Sequence, residues 1–141
     1  MSRFIRSLMT GAARDDERND CTVRALANAL DIDYNEAHAA LSKHGRKHGK
    51  GCSHRVWHRA YTEQGLTLLR LYGTTKRARI LSKNLGMETS KGTTLGTLLK
   101  TIGGGRFAVV VTGHALCIID GQIIDRFANL ANKSVVAVYR A

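Results

Sequence analysis

The sequence predicts an α+β fold, in which N-terminal helices pack on a C-terminal, mostly antiparallel β-sheet. Helical patterns dominate as far as Ile102, and β-branched runs such as "RFAVVVT" then take over. The dipeptide Asp120-Gly121 separates two apolar runs, as in a tight β-hairpin. The length of 141 residues suits one domain with one modest core, so residues 1–141 are treated as a single domain.

The first predicted helix spans residues 21–30, where Val23, Leu26, Ala27 and Leu30 recur at the spacing of one helix face. Asn19 and Asp20 stand before it and offer oxygens that could cap its N-terminus. Four further helices are predicted by similar patterns and capping residues, at about 34–44, 53–64, 75–86 and 94–102.

The predicted strands cover 66–72, 106–112, 114–119, 122–127 and 133–140. With Asp120 and Gly121 as the turn, Ile119 pairs with Gln122, and three more pairs follow outwards as far as Leu116 with Asp125. Side chains alternate along a strand, so His114 and Asp125 share one face and lie diagonally to each other. Cys117 falls on the opposite face and is predicted to be core.

Cys21 is the first residue of its predicted helix, where the positive end of the helix dipole favours a thiolate. A histidine can take the thiol proton, and a carboxylate can hold that histidine in one orientation. Cys21, His114 and Asp125 supply these three roles. The small residues Ala25 and Ala29 on the thiol's face of the helix would allow close packing against the sheet.

The segments "NDCTVRALANAL" and "GHALCIIDGQIIDRF" resemble the papain-like fold and, more narrowly, bacteriocin-leader peptidases and related small phage-encoded proteins. The narrower resemblance covers about 30 residues at the two ends of the chain. It implies Cys21 as the nucleophile, His114 as the general base and Asp125 as the orienting acid.

The sequence departs from the papain-like pattern at Asp15, where such enzymes usually carry a glutamine that stabilises the oxyanion. An ionised carboxylate cannot donate a hydrogen bond to an anion. Asn19 is the candidate replacement, with the backbone N–H of Cys21 as a second donor.

Positive charge is concentrated in the middle of the chain. The formal net charge is +11, yet residues 37–119 alone contain fourteen Lys and Arg and only two acids, a net charge of +12. Such a field attracts polyanions. The candidate nucleic-acid-binding residues are Lys43, Arg46, Lys47, Lys50, Arg55 and Arg59.

Histidines and a cysteine also crowd this basic stretch, at His44, His48, Cys52, His54 and His58. Their i, i+4 spacing could present metal ligands on a helix face, but the surrounding cations would repel zinc and the spacing departs from common zinc patterns. We therefore expect no metal and no other cofactor.

Two functions remain open. The first is a thiol hydrolase, a cysteine peptidase or related amide hydrolase acting on a peptide or protein. The second is a non-catalytic papain-like module that binds nucleic acid or an acidic protein through its basic middle, for example as a virion component. No signal peptide, membrane span or disulfide framework is recognisable, so we expect reduced thiols, no membrane partner and a cytoplasmic or virion location.

Overall fold

The computed structural model describes residues 19–125 and 130–141. Within these residues the chain forms five helices and five strands, so the predicted α+β class is confirmed. The helices are α1 (Cys21–Leu30), α2 (Tyr34–Lys43), α3 (His54–Glu63), α4 (Lys76–Leu85) and α5 (Leu95–Leu99). The strands are β1 (Thr67–Leu71), β2 (Arg106–Val111), β3 (His114–Ile119), β4 (Gln122–Ile124) and β5 (Val135–Arg140).

The strands form one sheet in the order β1-β5-β2-β3-β4, and every ladder between them is antiparallel. The hairpin of β3 and β4 has the predicted register from Ile119–Gln122 to Cys117–Ile124. Asp120 and Gly121 form its turn, with φ angles of 49° and 82°. Positive φ at both central residues is typical of a type I′ turn, whose twist matches that of the strands.

The predicted pair of Leu116 with Asp125 does not form in the ladder, because β4 ends at Ile124. Asp125 lies immediately beyond the strand end instead. The strand predicted over 122–127 is therefore too long at Asp125, and its last two residues, 126 and 127, lie outside the described part of the chain.

Apolar side chains cover both faces of the sheet. Helices α1 to α4 contribute to a core with Ala115, Cys117 and Ile119 of β3, whereas α5 packs with Leu116 and Ile118 on the other face. This alternation is the expected consequence of the two-residue period of a strand. Helix α1 packs on β3 and β2, which brings its N-terminus to the end of the sheet where β3 begins.

The helix caps agree with the sequence in part. The side chains of Asp33, Thr75 and Thr94 each accept a backbone N–H from the first turn of their helices. Asp20 occupies the N-cap position of α1 but makes no capping hydrogen bond with its side chain. The expected cap is wrong there, because the carboxylate of Asp20 instead binds Arg24 and Tyr34.

No helix in the described part of the chain is both long and apolar enough to cross a membrane. All three cysteines are free thiols.

Candidate active site

Cys21 lines an open groove between the start of α1, the loop before α3 and the strand ends of β2 and β3. The groove has a volume of about 440 Å³, and its walls include Trp57, Val110 and His114. The thiol is partly buried at the first residue of α1. Its position results from the packing of α1 on the sheet, because the small buried residues Ala25 and Ala29 let the helix approach β3 closely.

The structure brings His114 and Asp125 together with Cys21. His114 is the first residue of β3, and its Nε2 hydrogen bonds with Oδ2 of Asp125. A carboxylate only accepts, so Nε2 carries the proton of this bond. The imidazole also hydrogen bonds with the Cys21 side chain, for which Nδ1 remains available.

The neighbours of Cys21 favour its thiolate. Burial raises the pKa of the thiol, but the hydrogen bond and charge of His114, the backbone N–H of Ala115 and the charge of Arg24 outweigh it. The pKa of Cys21 therefore lies below its ordinary value. A depressed pKa at a partly exposed thiol is typical of a reactive cysteine.

The pKa of His114 is raised, opposite to the lowered pKa of Cys21. Burial lowers its pKa, but the hydrogen bonds and charges of Asp125 and Cys21 raise the pKa to about 9. The side chain of Asp125 is only 1% exposed, so solvent screens this interaction weakly. The arrangement therefore favours the charged thiolate–imidazolium pair over the neutral one.

A buried arginine connects the acid of this site to the N-terminus of α1. The Nε of Arg24 lies 2.9 Å from Oδ1 of Asp20, and its Nη1 lies 3.6 Å from Oδ1 of Asp125. Tyr34 donates its hydroxyl to Oδ2 of Asp20 at 2.9 Å. Arg24 thus bridges two buried carboxylates, and it holds Asp125 from the side opposite His114.

Arg24 and Asp20 were not among the residues predicted for the site. The signal available in the sequence was their i, i+4 spacing, which allows an ion pair on one helix face. The same spacing is common on solvated surfaces, so it does not by itself indicate a buried, site-forming pair.

The other two thiols differ from Cys21. Burial raises the pKa of Cys117 to about 12, which agrees with its predicted place in the core. Cys52 lies in the wall of the groove, 3.6 Å from the Thr22 hydroxyl, and burial raises its pKa. Neither thiol is held as a thiolate near neutral pH.

The oxyanion candidate Asn19 lies directly before the helix. Its Nδ2 donates to the backbone oxygen of Gly49 at 3.1 Å, and a positive φ of 53° turns the chain at this point. One of the two amide hydrogens is thus engaged with the loop between α2 and α3. Asp15, which stands at the position usually held by glutamine, lies outside the described residues.

The five metal-ligating side chains of the basic stretch do not converge. His44 pairs with Glu63, His48 with His38, and His58 with Tyr139. Within residues 19–125 and 130–141, no three His, Cys, Asp or Glu side chains are grouped so that they could hold a metal ion.

The candidate nucleic-acid-binding residues fall into two groups. The exposed group comprises Lys43, Lys47, Lys50, Arg55 and Arg59. Within it, Lys43 pairs with Glu63 at 2.7 Å. Arg46 is only 3% exposed, and its Nη2 donates to the backbone oxygen of Asn19. Its guanidinium therefore faces the protein interior, and it does not belong to the exposed set.

Comparison of the chain with protein-family models, with curated proteins and with solved structures gives no significant match.

Proposed function

We propose that the protein is a papain-like cysteine peptidase or related amide hydrolase, with Cys21 as nucleophile, His114 as general acid and base, and Asp125 as the orienting acid. The observation that carries this proposal is the convergence of the three side chains, in which Cys21 and His114 line one groove and His114 hydrogen bonds with the buried Asp125. A helix that begins with the cysteine and packs on an antiparallel sheet that presents the histidine is consistent with a papain-like arrangement.

In the proposed reaction the Cys21 thiolate attacks the carbonyl carbon of an amide, and a C–S bond forms. The His114 imidazolium gives its proton to the leaving nitrogen as the C–N bond breaks, which leaves a thioester on Cys21. Water then attacks the thioester while neutral His114 accepts a proton from it. The carboxylic acid leaves, and the thiolate–imidazolium pair forms again.

The tetrahedral intermediates carry an oxyanion that needs hydrogen-bond donors. The backbone N–H of Cys21 and the second amide hydrogen of Asn19 are the proposed donors.

Alkylation of the native protein tests the nucleophile. We expect iodoacetamide to modify Cys21 at neutral pH at least tenfold faster than Cys52 or Cys117, because only its pKa is lowered. Mass spectrometry of tryptic peptides gives the three rates. His114→Ala should slow the reaction of Cys21, whereas His44→Ala, which removes a surface imidazole paired with Glu63, should not. Equal rates for Cys21 and Cys117 would contradict the proposal.

An activated ester tests turnover. p-Nitrophenyl acetate should acetylate Cys21 with release of nitrophenolate, and the acetyl group should then be lost to water. Cys21→Ala should abolish the burst, and His114→Ala should leave an acetylated protein that deacylates slowly, because the water lacks its base. Identical ester hydrolysis by the unaltered protein and Cys21→Ala would exclude a catalytic Cys21.

A second candidate function is binding of nucleic acid or an acidic protein by a papain-like module without catalysis. The observation in its favour is the exposed cationic set of Lys47, Lys50, Arg55 and Arg59. In either case we propose that the protein acts in the cytoplasm of a host cell or in a phage particle, as the resemblance to phage-encoded proteins implies.

A further inference from the structure

The groove at Cys21 continues into a second cavity. This cavity has a volume of about 380 Å³ and shares four wall residues with the first, namely Arg77, Val110, Val111 and Gly113. The shared wall means that a chain bound across Cys21 and His114 extends past the side chain of Arg77. The two cavities therefore form one extended binding surface.

The walls of both cavities contain cations and no acid among the described residues. Arg77 lies in the wall of both, and Lys76 lies in the wall of the second. Both side chains are exposed, and neither forms an ion pair with any residue of 19–125 or 130–141.

The charge of Arg77 acts on groups around the groove. Burial, and then the charges of Arg77 and Arg55, lower the pKa of His54. Thr74 and Ser134 line the second cavity beside Lys76, and their hydroxyls add hydrogen-bond donors, whereas the Thr112 hydroxyl already donates to the backbone oxygen of Ser134. A guanidinium with neighbouring hydroxyls offers a carboxylate two directed bonds and a favourable charge.

We propose that this extended groove selects acidic peptide substrates, in which an Asp or Glu side chain close to the reacting amide binds Arg77 and Lys76. The inference rests on the proposed hydrolase function and adds the substrate class. A lysine or arginine at the same substrate position would meet two like charges, so the groove discriminates against basic peptides as well as favouring acidic ones.

Two alkylating reagents of nearly equal size measure the charge preference at Cys21. Iodoacetate and iodoacetamide both displace iodide with the thiolate, and they differ in a carboxylate against a carboxamide. We expect Arg77→Gln to lower the ratio of the iodoacetate rate to the iodoacetamide rate at Cys21 severalfold. Lys83→Gln removes an equal charge from the last turn of the same helix, outside the groove, and should leave the ratio unaltered. A ratio insensitive to Arg77→Gln would overturn the role of Arg77.

Peptide protection tests the substrate class directly. Three pools of acetylated, mixed-sequence heptapeptide amides, enriched in Glu, in Gln or in Lys, should slow iodoacetamide labelling of Cys21 to different extents. We expect the Glu pool to protect at least fivefold better than the Gln pool, the Lys pool to protect least, and Arg77→Gln to remove the difference. Equal protection by the three pools, or no protection by any, would overturn the proposal.

The two failures are distinguishable. Slow labelling of Cys21 by iodoacetamide, at the rate of Cys52 or Cys117, contradicts the hydrolase itself. Rapid labelling of Cys21 without any preference for the Glu pool contradicts only the acidic substrate class.

Discussion

His114 links Cys21 to Asp125, because its imidazole hydrogen bonds with both side chains. Nε2 bonds with Asp125, and the hydrogen bond with Cys21 is left to the other side of the ring. The pKa of about 9 follows from these two negative neighbours, which outweigh the effect of burial. Asp125 and Cys21 therefore both favour the charged form of His114, and His114 in turn lowers the pKa of Cys21.

Removal of the acid should change the titration of His114. In Asp125→Asn we expect the pKa of His114 to fall from about 9 towards its ordinary value of 6.5, by roughly one unit or more. A titration of the histidine ring signals by NMR gives the value. Asp120→Asn is the matched control, since Asp120 lies at the turn tip and accepts the Gly105 N–H, and it should leave His114 unchanged. A fall as large in Asp120→Asn would contradict this assignment.

The same substitution should have a cost in stability that depends on pH. The folded-state pKa of His114 lies above the unfolded one, so its charged interaction with Asp125 stabilises fully below about pH 6.5 and is lost as the pH rises through about 9. The free energy of unfolding lost in Asp125→Asn should therefore be larger at about pH 6 than at about pH 10. Urea unfolding at both pH values measures this difference.

At the scale of the element, the N-terminal part of α1 has two roles. It presents Cys21 to the groove, and it carries Arg24 one turn later against the buried acids. Paired, buried charges of this kind are costly to separate, because a single remaining charge is not solvated. The helix is thereby held in one position relative to β4 and its following residue, Asp125.

Replacement of Arg24 should destabilise the fold as well as the site. Arg24→Ala leaves the carboxylates of Asp20 and Asp125 buried without their cation, and we expect a loss of about 3–5 kcal/mol in the free energy of unfolding. Arg24→Lys should recover part of this lost free energy of unfolding. Arg70→Ala, at an exposed arginine on β1, should cost about 0.5 kcal/mol or less.

Equilibrium unfolding in urea gives these values, and the titration of His114 adds a second measurement. The pKa of His114 should shift in Arg24→Lys but not in Arg70→Ala, since the Arg24 guanidinium lies 3.6 Å from the Asp125 carboxylate whereas Arg70 is an exposed residue of β1. A stability of Arg24→Ala within error of Arg70→Ala would show that the buried ion pairs contribute nothing.

At the scale of the whole molecule, a set of exposed positive charges lies on the loop before α3 and on that helix. Lys47 and Lys50 lie in the loop before α3, and Arg55 and Arg59 lie on the exposed face of that helix. A surface of this kind binds phosphates by releasing counterions, without reading bases.

If the second candidate function holds, the protein should bind duplex and single-stranded DNA with little sequence preference. Affinity should fall roughly 10²-fold between about 50 and 200 mM salt for four phosphate contacts. The triple change Lys47→Gln, Lys50→Gln and Arg55→Gln should flatten this slope. The matched control is a second triple change, Lys91→Gln, Lys100→Gln and Lys133→Gln, which removes the same charge from exposed positions elsewhere. It should flatten the salt slope less. Fluorescence anisotropy measures both slopes, and no binding at about 50 mM salt would exclude nucleic acid as the partner.

The local elements could be predicted well from the sequence. The bounds of α1 agree with the prediction residue for residue, and the Asp120-Gly121 turn sets the hairpin register. Both depend on contacts a few residues apart, on the helical period of apolar side chains and on a turn that requires positive φ. The candidate triad followed from the same local geometry together with the resemblance to the papain-like fold.

Only the tertiary structure decided which charges are buried. Arg24 and Arg46 carry the same charged side chain as Arg55 and Arg59, yet the first two lie in the interior and the other two face solvent. The extended groove past Arg77 is formed by α4 and the ends of β2 and β3, so it combines wall residues as distant in sequence as Arg77 and Val110. The sequence by itself determined the elements and the hairpin register, because these depend on near neighbours. Burial and the shape of the groove depend on how distant elements pack, and no local pattern specifies that.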